Sequence, residues 1–180
     1  MMLQIDHRES NDVDIFLSDA QLLQFLDPQK RDFQFEIQPD DYRTDGVRSI
    51  KFAFNHVGQI DFIVARALTL SPATEANVDD RIVQLETIPE IITKKIYHRG
   101  LSLQSRDIFD IAAAAEQHAE SLIAGLKLFP DRVAQAITTL SKLNAEFVNR
   151  AIQQLAIKDR YSDIAKTALE RSKELLRAAA

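Results

Sequence analysis

Polar and apolar residues alternate from Asp12 to Ile15, and Phe16 and Leu17 extend the apolar run, which predicts a strand over Val13–Leu17. Alternate side chains of a strand share a face. Val13, Ile15 and Leu17 are therefore expected to point into a core, with Asp12 and Asp14 together on the opposite side. Ser18-Asp19 then starts a helix carrying Leu22, Leu23, Phe25 and Leu26, and Pro28 stops it. The acidic, turn-rich segment Pro39–Gly46 reads as a surface loop. Two β-rich runs follow, Ser49–Phe54 and Ile60–Val64, with Asn55–Gly58 suited to a hairpin turn between them. Ser71–Asp80 reads as polar and irregular, and Arg81–Leu85 as one more short strand.

The pattern turns helical at Thr87. Thr87-Ile88-Pro89-Glu90 fits a capping box, with Thr87 as N-cap and Glu90 as its reciprocal partner. That helix is expected to run through Ile91, Ile92, Ile96 and Tyr97 until Gly100 stops it. A second helix opens at Ser105, with Asp107 favourable in its first turn, and shows an apolar face of Ile108, Ile111, Ala115, Ala119 and Leu122. A third begins at Pro130, with apolar positions Val133, Ile137, Leu140, Leu143, Phe147, Ile152 and Leu155 and a break near Phe147. The last, amphipathic segment carries Tyr161, Ile164, Ala168 and Leu175. The expected fold class is α+β: a small mixed-sheet core with helices over residues 1–86, then a C-terminal helical bundle over residues 87–180.

With 46% hydrophobic and 27% charged residues the chain has the balance of a soluble globular protein. No apolar run approaches the roughly 20 residues of a membrane span, and no signal peptide precedes the first strand. Cysteine is absent, which excludes disulfides and thiolate metal sites and fits a cytoplasmic location. The net charge of −5 is uneven. Residues 1–86 carry 8 Lys and Arg against 16 Asp and Glu, and residues 87–180 carry 14 against 11. An acidic half suits a cation and a mildly basic half a polyanion, although no dense basic tract argues for nucleic acid.

Asp12 and Asp14 are the first candidates for chemistry, because neighbouring carboxylates repel unless cations neutralise them. An Asp-x-Asp spacing alone is weak, since 17 Asp predict roughly one or two such spacings by chance. Asp61, inside the apolar run Gln59–Val64, is a third carboxylate. It either needs a partner or a metal, or faces solvent on an edge strand, and the alternation permits both. Three converging acids would hold Mg²⁺, with one ion on a triphosphate and a second activating a hydroxyl whose proton Asp61 receives. Arg8 and Ser10, just upstream, can hold phosphate oxygens, though local pattern favours a surface Arg and a turn Ser. A second cluster comprises Lys94, Lys95, Arg99, Arg106, Asp107 and Asp110, with Lys95 and Arg99 on one helix face. It reads either as an interhelical salt bridge or as the triphosphate wall of a nucleotide site, with Lys95 on the phosphates. The four His lack zinc-site spacings, and no Rossmann, P-loop or nucleophile-elbow motif is present.

In order, R-E-S-N-D-V-D-I-F, Q-I-D-F-I-V, E-T-I-P-E-I-I-T-K-K-I-Y-H-R-G and R-D-I-F-D-I resemble the AbiEii/AbiGii toxin family of nucleotidyltransferases, within the DNA-polymerase-β-like superfamily. The resemblance covers about residues 7–115. It implies a nucleotidyltransferase core, a nucleoside triphosphate substrate, Mg²⁺, an RNA (tRNA) or protein acceptor, and a toxin paired with a cognate antitoxin in abortive infection. By position it implies Asp12, Asp14 and Asp61 as metal ligands and Asp61, Lys95 and Asp110 as catalytic residues. Arg8, Ser10, Lys95, Arg106 and Asp107 would bind nucleotide. The family's Gly-Gly or Gly-Ser turn, about ten residues before the first metal acid, would fall at Met1. Met1–Gln4 therefore reads as the end of a missing helix, and the chain as an N-terminally truncated member. A catalytically defective remnant that binds nucleotide or a partner is the alternative reading.

Overall fold

The computed structural model describes residues 1–31 and 35–180. Among the described residues the strands are β1 (Asp12–Leu17), β2 (Asp41–Thr44), β3 (Ser49–Phe54), β4 (Gly58–Val64), β5 (Ala73–Val78) and β6 (Arg81–Glu86). The helices are α1 (Met2–Ile5), α2 (Leu23–Leu26), α3 (Ile88–Arg99), α4 (Ser105–Leu126), α5 (Pro130–Ser141), α6 (Ala145–Gln153) and α7 (Ser162–Ala179). The chain divides into two compact units. One is Ser10–Ala67; the other joins Met1–Glu9 to Leu68–Ala180.

The first unit is a mixed sheet in the order β1-β4-β3-β2, parallel between β1 and β4 and antiparallel elsewhere. Ile50 and Phe52 are buried against Leu23 of α2, with Leu17, Phe62 and Val64 packed around them. The alternation of the sequence thus builds the core, but only in part. Val13 and Ile15, expected inside, are 52% and 38% exposed, because β1 is an edge strand and the cluster under α2 reaches only Leu17. Part of the expected loop Pro39–Gly46 is strand β2. Its Tyr42 stacks on Phe52 at 5.6 Å and donates its hydroxyl to Asp27 Oδ1 at 2.7 Å. A cross-strand aromatic pair of this kind outweighs an acidic, turn-like local sequence.

Gly58 sets the register of β1. Its φ of +144° is strained for any L side chain, and a Cβ there would lie 2.0 Å from the carbonyl oxygen of Asn11. Only glycine lets the backbone before β1 lie this close to the start of β4.

In the second unit, β5 and β6 form an antiparallel hairpin whose tip places Asp79 and Asp80 at φ 48° and 62°. The Ser71–Asp80 segment is therefore mostly strand. Glu75 and Asn77 hide the alternation in the sequence, and pairing along the whole of β6 supplies the order. Thr87 caps α3 by accepting from the Glu90 amide at 3.4 Å. Glu90 does not reciprocate: its buried carboxylate instead accepts from the Leu68 amide and from the Thr69 amide and hydroxyl at 2.6–3.2 Å. Gly100 ends α3 without a left-handed turn; a Cβ there would lie 2.7 Å from the Ile96 carbonyl oxygen and 3.3 Å from that of Arg132.

The helical core is built on α4 and α7. Ile108, Phe109, Ile111 and Leu122 are fully buried, and the alanines at 112–114 allow the close approach of neighbouring helices. The Ser172 hydroxyl of α7 donates to the Ile108 carbonyl at 2.9 Å. The expected break lies at 142–144, ahead of Phe147, because Asn144 caps α6 and accepts the Phe147 amide at 2.9 Å. Phe147 itself is exposed. Among the described residues no helix is long and apolar enough to cross a membrane.

Candidate active site

In the first unit, parallel pairing sets Asp14 beside Asp61 and Asp12 beside Gln59. Paired residues and their i+2 neighbours share a face, so the three acids lie on one side of the sheet. Asp12 and Asp14 are exposed. Asp61 is more enclosed, with its side chain 14% exposed. Its Oδ2 pairs with Lys51 Nζ 3.2 Å away and accepts from Gln59 Nε2 at 3.3 Å, while its Oδ1 is buried without a donor among the described residues. Lys51, next in register on β3, is the residue that motif reasoning passed over. Its signal was the alternation of Ser49–Phe54, which turns Lys51 away from Ile50 and Phe52.

Among the described residues no three His, Cys, Asp or Glu side chains are gathered as a metal cluster. The donor set itself suits a hard divalent cation: carboxylates only, with one buried oxygen lacking a partner. Asp14 and Asp61 would hold such an ion, with Asp12 two residues along.

The second unit contains a buried charge network. Asp110, 1% exposed, accepts on Oδ1 from His7 Nε2 at 2.7 Å and Arg8 Nε at 2.8 Å. Its Oδ2 accepts from Arg8 Nη2 at 3.2 Å and lies 3.0 Å from Lys95 Nζ. Asp107 is fully buried. It accepts from Lys95 Nζ at 2.7 Å and from the Gln104 amide at 3.1 Å, and Arg99 stands 3.7 Å away. Burial would raise the carboxyl pKa of Asp110, yet the His7 hydrogen bond, Lys95 and Arg8 together hold it far below the usual range.

Thus Arg8, Lys95, Asp107 and Asp110 come together. Arg106 does not join them and is exposed; Ser10 is half-buried at the start of the first unit. Lys94 turns instead to Glu86 and Glu90. His7 was missed because a lone histidine carries no motif; its position beside Arg8 was the available signal. A cleft of about 610 Å³ in this unit, lined by Gln4, Leu70, Pro89 and His118 among others, includes none of the charged network.

Fold and site define an α+β protein with an acidic sheet face and a buried lysine–arginine–aspartate network. Comparison with known families is more specific. The family model described as "Nucleotidyl transferase AbiEii toxin, Type IV TA system" matches residues 1–178, and the chain belongs to that family of toxin–antitoxin nucleotidyltransferases. Two solved structures are similar to it. A candidate nucleotidyltransferase from H. pylori is 17% identical with a TM-score of 0.47, covering 96% of this chain and 78% of its own. JHP933 from Helicobacter pylori is 16% identical with a TM-score of 0.46, covering 96% and 76%. No curated protein matches the chain.

Proposed function

We propose that this chain is a Mg²⁺-dependent nucleotidyltransferase, the toxin of a cytoplasmic toxin–antitoxin or abortive-infection pair. It moves a nucleoside monophosphate from a nucleoside triphosphate to a hydroxyl of tRNA or of a protein. The observation that carries the reading is the Oδ1 of Asp61 beside Asp14, buried and without a partner among the described residues. Mg²⁺ held by Asp14 and Asp61, with Asp12, would neutralise phosphate charge and lower the pKa of the acceptor hydroxyl. As the acceptor oxygen bonds to the α-phosphorus and pyrophosphate leaves, the acceptor proton passes to the Asp61 carboxylate. Lys95 donates to Asp107 and pairs by charge with Asp110, so its three-donor ammonium keeps capacity for a phosphate oxygen. Arg8, Ser10 and Arg106 are the further candidates on the nucleotide. Asp110 already accepts from His7 and Arg8 and pairs with Lys95, so its role here is to hold Arg8 and Lys95 in place.

The test is transfer of α-³²P label from each ribonucleoside triphosphate, with Mg²⁺, to total tRNA and to protein. Label transfer is expected, with Asp61→Asn lowering it by about 10²-fold or more. Calorimetric binding of Mg–nucleotide without transfer to either acceptor would replace this reading with that of a nucleotide-binding protein.

A further inference from the structure

His7 has no part in the chemistry proposed above, yet it is buried and its ring is fixed from several sides. Phe109 stacks on it with ring centroids 5.7 Å apart, and Tyr161 meets it edge-on at 6.3 Å. Its carbonyl accepts from the Lys158 amide at 3.1 Å, and the Glu9 amide donates to the Ala156 carbonyl at 2.9 Å. This short segment is thus clamped against the chain that precedes α7. Tyr161 adds a hydroxyl bond to the Ile5 carbonyl at 2.9 Å.

So fixed a ring holds Nε2 at a defined place, while Nδ1 is buried with no hydrogen-bond partner among the described residues. Nε2 is 2.7 Å from Asp110 Oδ1, and the acceptor there is a carboxylate, so the tautomer assigned by the network has Nε2–H donating. A carboxylate offers about four lone-pair directions. On Asp110, Arg8 donates to both oxygens and His7 to Oδ1, and Lys95 Nζ stands 3.0 Å from Oδ2 as an ion pair. Without His7, Oδ1 loses a donor, and among the described residues Lys95 and Arg8 are the groups that stand at Asp110 to replace it. Either replacement rotates the carboxylate and draws the cation off its present position.

We infer that His7 is a positioning residue for nucleotide binding: its Nε2–H sets the orientation of Asp110, which places Lys95 and Arg8 for the triphosphate. The inference rests on the reading of Lys95 as a phosphate contact. It predicts a defect in binding and not in the chemical step, because His7 meets the nucleotide only through Asp110. It also predicts which replacement works. The Gln amide reaches about as far as Nε2, whereas the shorter Asn amide does not reach Asp110.

The experiment is calorimetric titration of wild type, His7→Leu, His7→Gln, His7→Asn and Lys95→Ala with the best bound of the four Mg–ribonucleoside triphosphates, together with kcat and KM for label transfer. His7→Leu and His7→Asn are expected to weaken binding about tenfold, the size of one lost charged hydrogen bond, with kcat within about threefold of wild type. His7→Gln is expected to recover most of the affinity. If Lys95→Ala binds weakly while His7→Leu binds as wild type, the inference alone is overturned. If Lys95→Ala itself binds as wild type, the phosphate role of Lys95 falls and takes the inference with it. Should His7→Leu fail to fold, the Gln and Asn pair decides: equal affinities for those two variants overturn the role of Nε2–H.

Discussion

Asp110→Asn is the sharpest test of the buried network, because it keeps the side chain's size and removes its charge. In the native chain Asp107 and Asp110 face Arg8 and Lys95, with Arg99 further off. The amide removes one anion and turns an N–H₂ group toward donors. Breaking a buried ion pair from one side costs about 3–5 kcal/mol. Arg8 and Lys95 keep 15% and 19% of their side-chain exposure, so partial hydration places the loss near the lower end, about 3 kcal/mol at pH 7. The pH dependence follows from the sign of the shift. Folding holds the Asp110 carboxyl far below its ordinary value of 3.8, so its contribution is complete above that value and is lost as pH falls beneath it. The gap between wild type and Asp110→Asn should be constant from pH 7 to 5 and smaller by about 1 kcal/mol at pH 3. Urea unfolding of both proteins at several pH values measures it. A gap under about 1 kcal/mol at pH 7, or one that stays the same down to pH 3, would refute a buried, ionised Asp110.

Gly58→Ala forces a Cβ into the Asn11 backbone at an unfavourable φ, and neither partner is a flexible side chain that can swing aside. A loss of about 2–3 kcal/mol is expected, with label transfer falling further than stability as the Asp14–Asp61 pairing is disturbed; wild-type stability in urea would count against the register argument. Glu90→Ala strips the Leu68 and Thr69 amides and the Thr69 hydroxyl of their acceptor and leaves Lys94 with Glu86. It should cost about 3–5 kcal/mol and speed hydrogen exchange at those two amides, and unchanged protection there would show that Glu90 is dispensable.

The helical half was the more legible in the sequence. Thr87, Pro89, Pro130 and the periodic Ile108, Ile111 and Leu122 act within a few residues, which is the range of caps and helical spacing. The misread segments depend on partners far along the chain. β2 is a strand because Phe52 and Asp27 receive Tyr42, and Glu90 leaves its capping role because Leu68 and Thr69 lie 22 and 21 residues away with amides to satisfy. The acids show the same division. That Asp12 and Asp14 share a face follows from strand geometry alone, whereas the pairing of Asp14 with Asp61 needs the register that Gly58 permits. His7 was invisible for this reason too, since its partner Asp110 is 103 residues away.

The surroundings of Asp61 and Asp110 also divide the labour between two aspartates that look equivalent in sequence, each set in an apolar run. A carboxylate can take up a proton or an ion only through a lone pair that the protein has not already used. Asp110 is already engaged: His7 and Arg8 donate to it and Lys95 pairs with it, so withdrawing it from that network would unpair two partly buried cations. Asp61 has Lys51 and Gln59 on one oxygen and, among the described residues, no partner on the other, and the cost of leaving that oxygen bare disappears when an ion or a proton arrives. This is why the proposal gives chemistry to Asp61 and anchoring to Asp110, and why their Asn variants should fail differently. Asp61→Asn should lose transfer with stability nearly intact, whereas Asp110→Asn should lose stability first and nucleotide affinity with it.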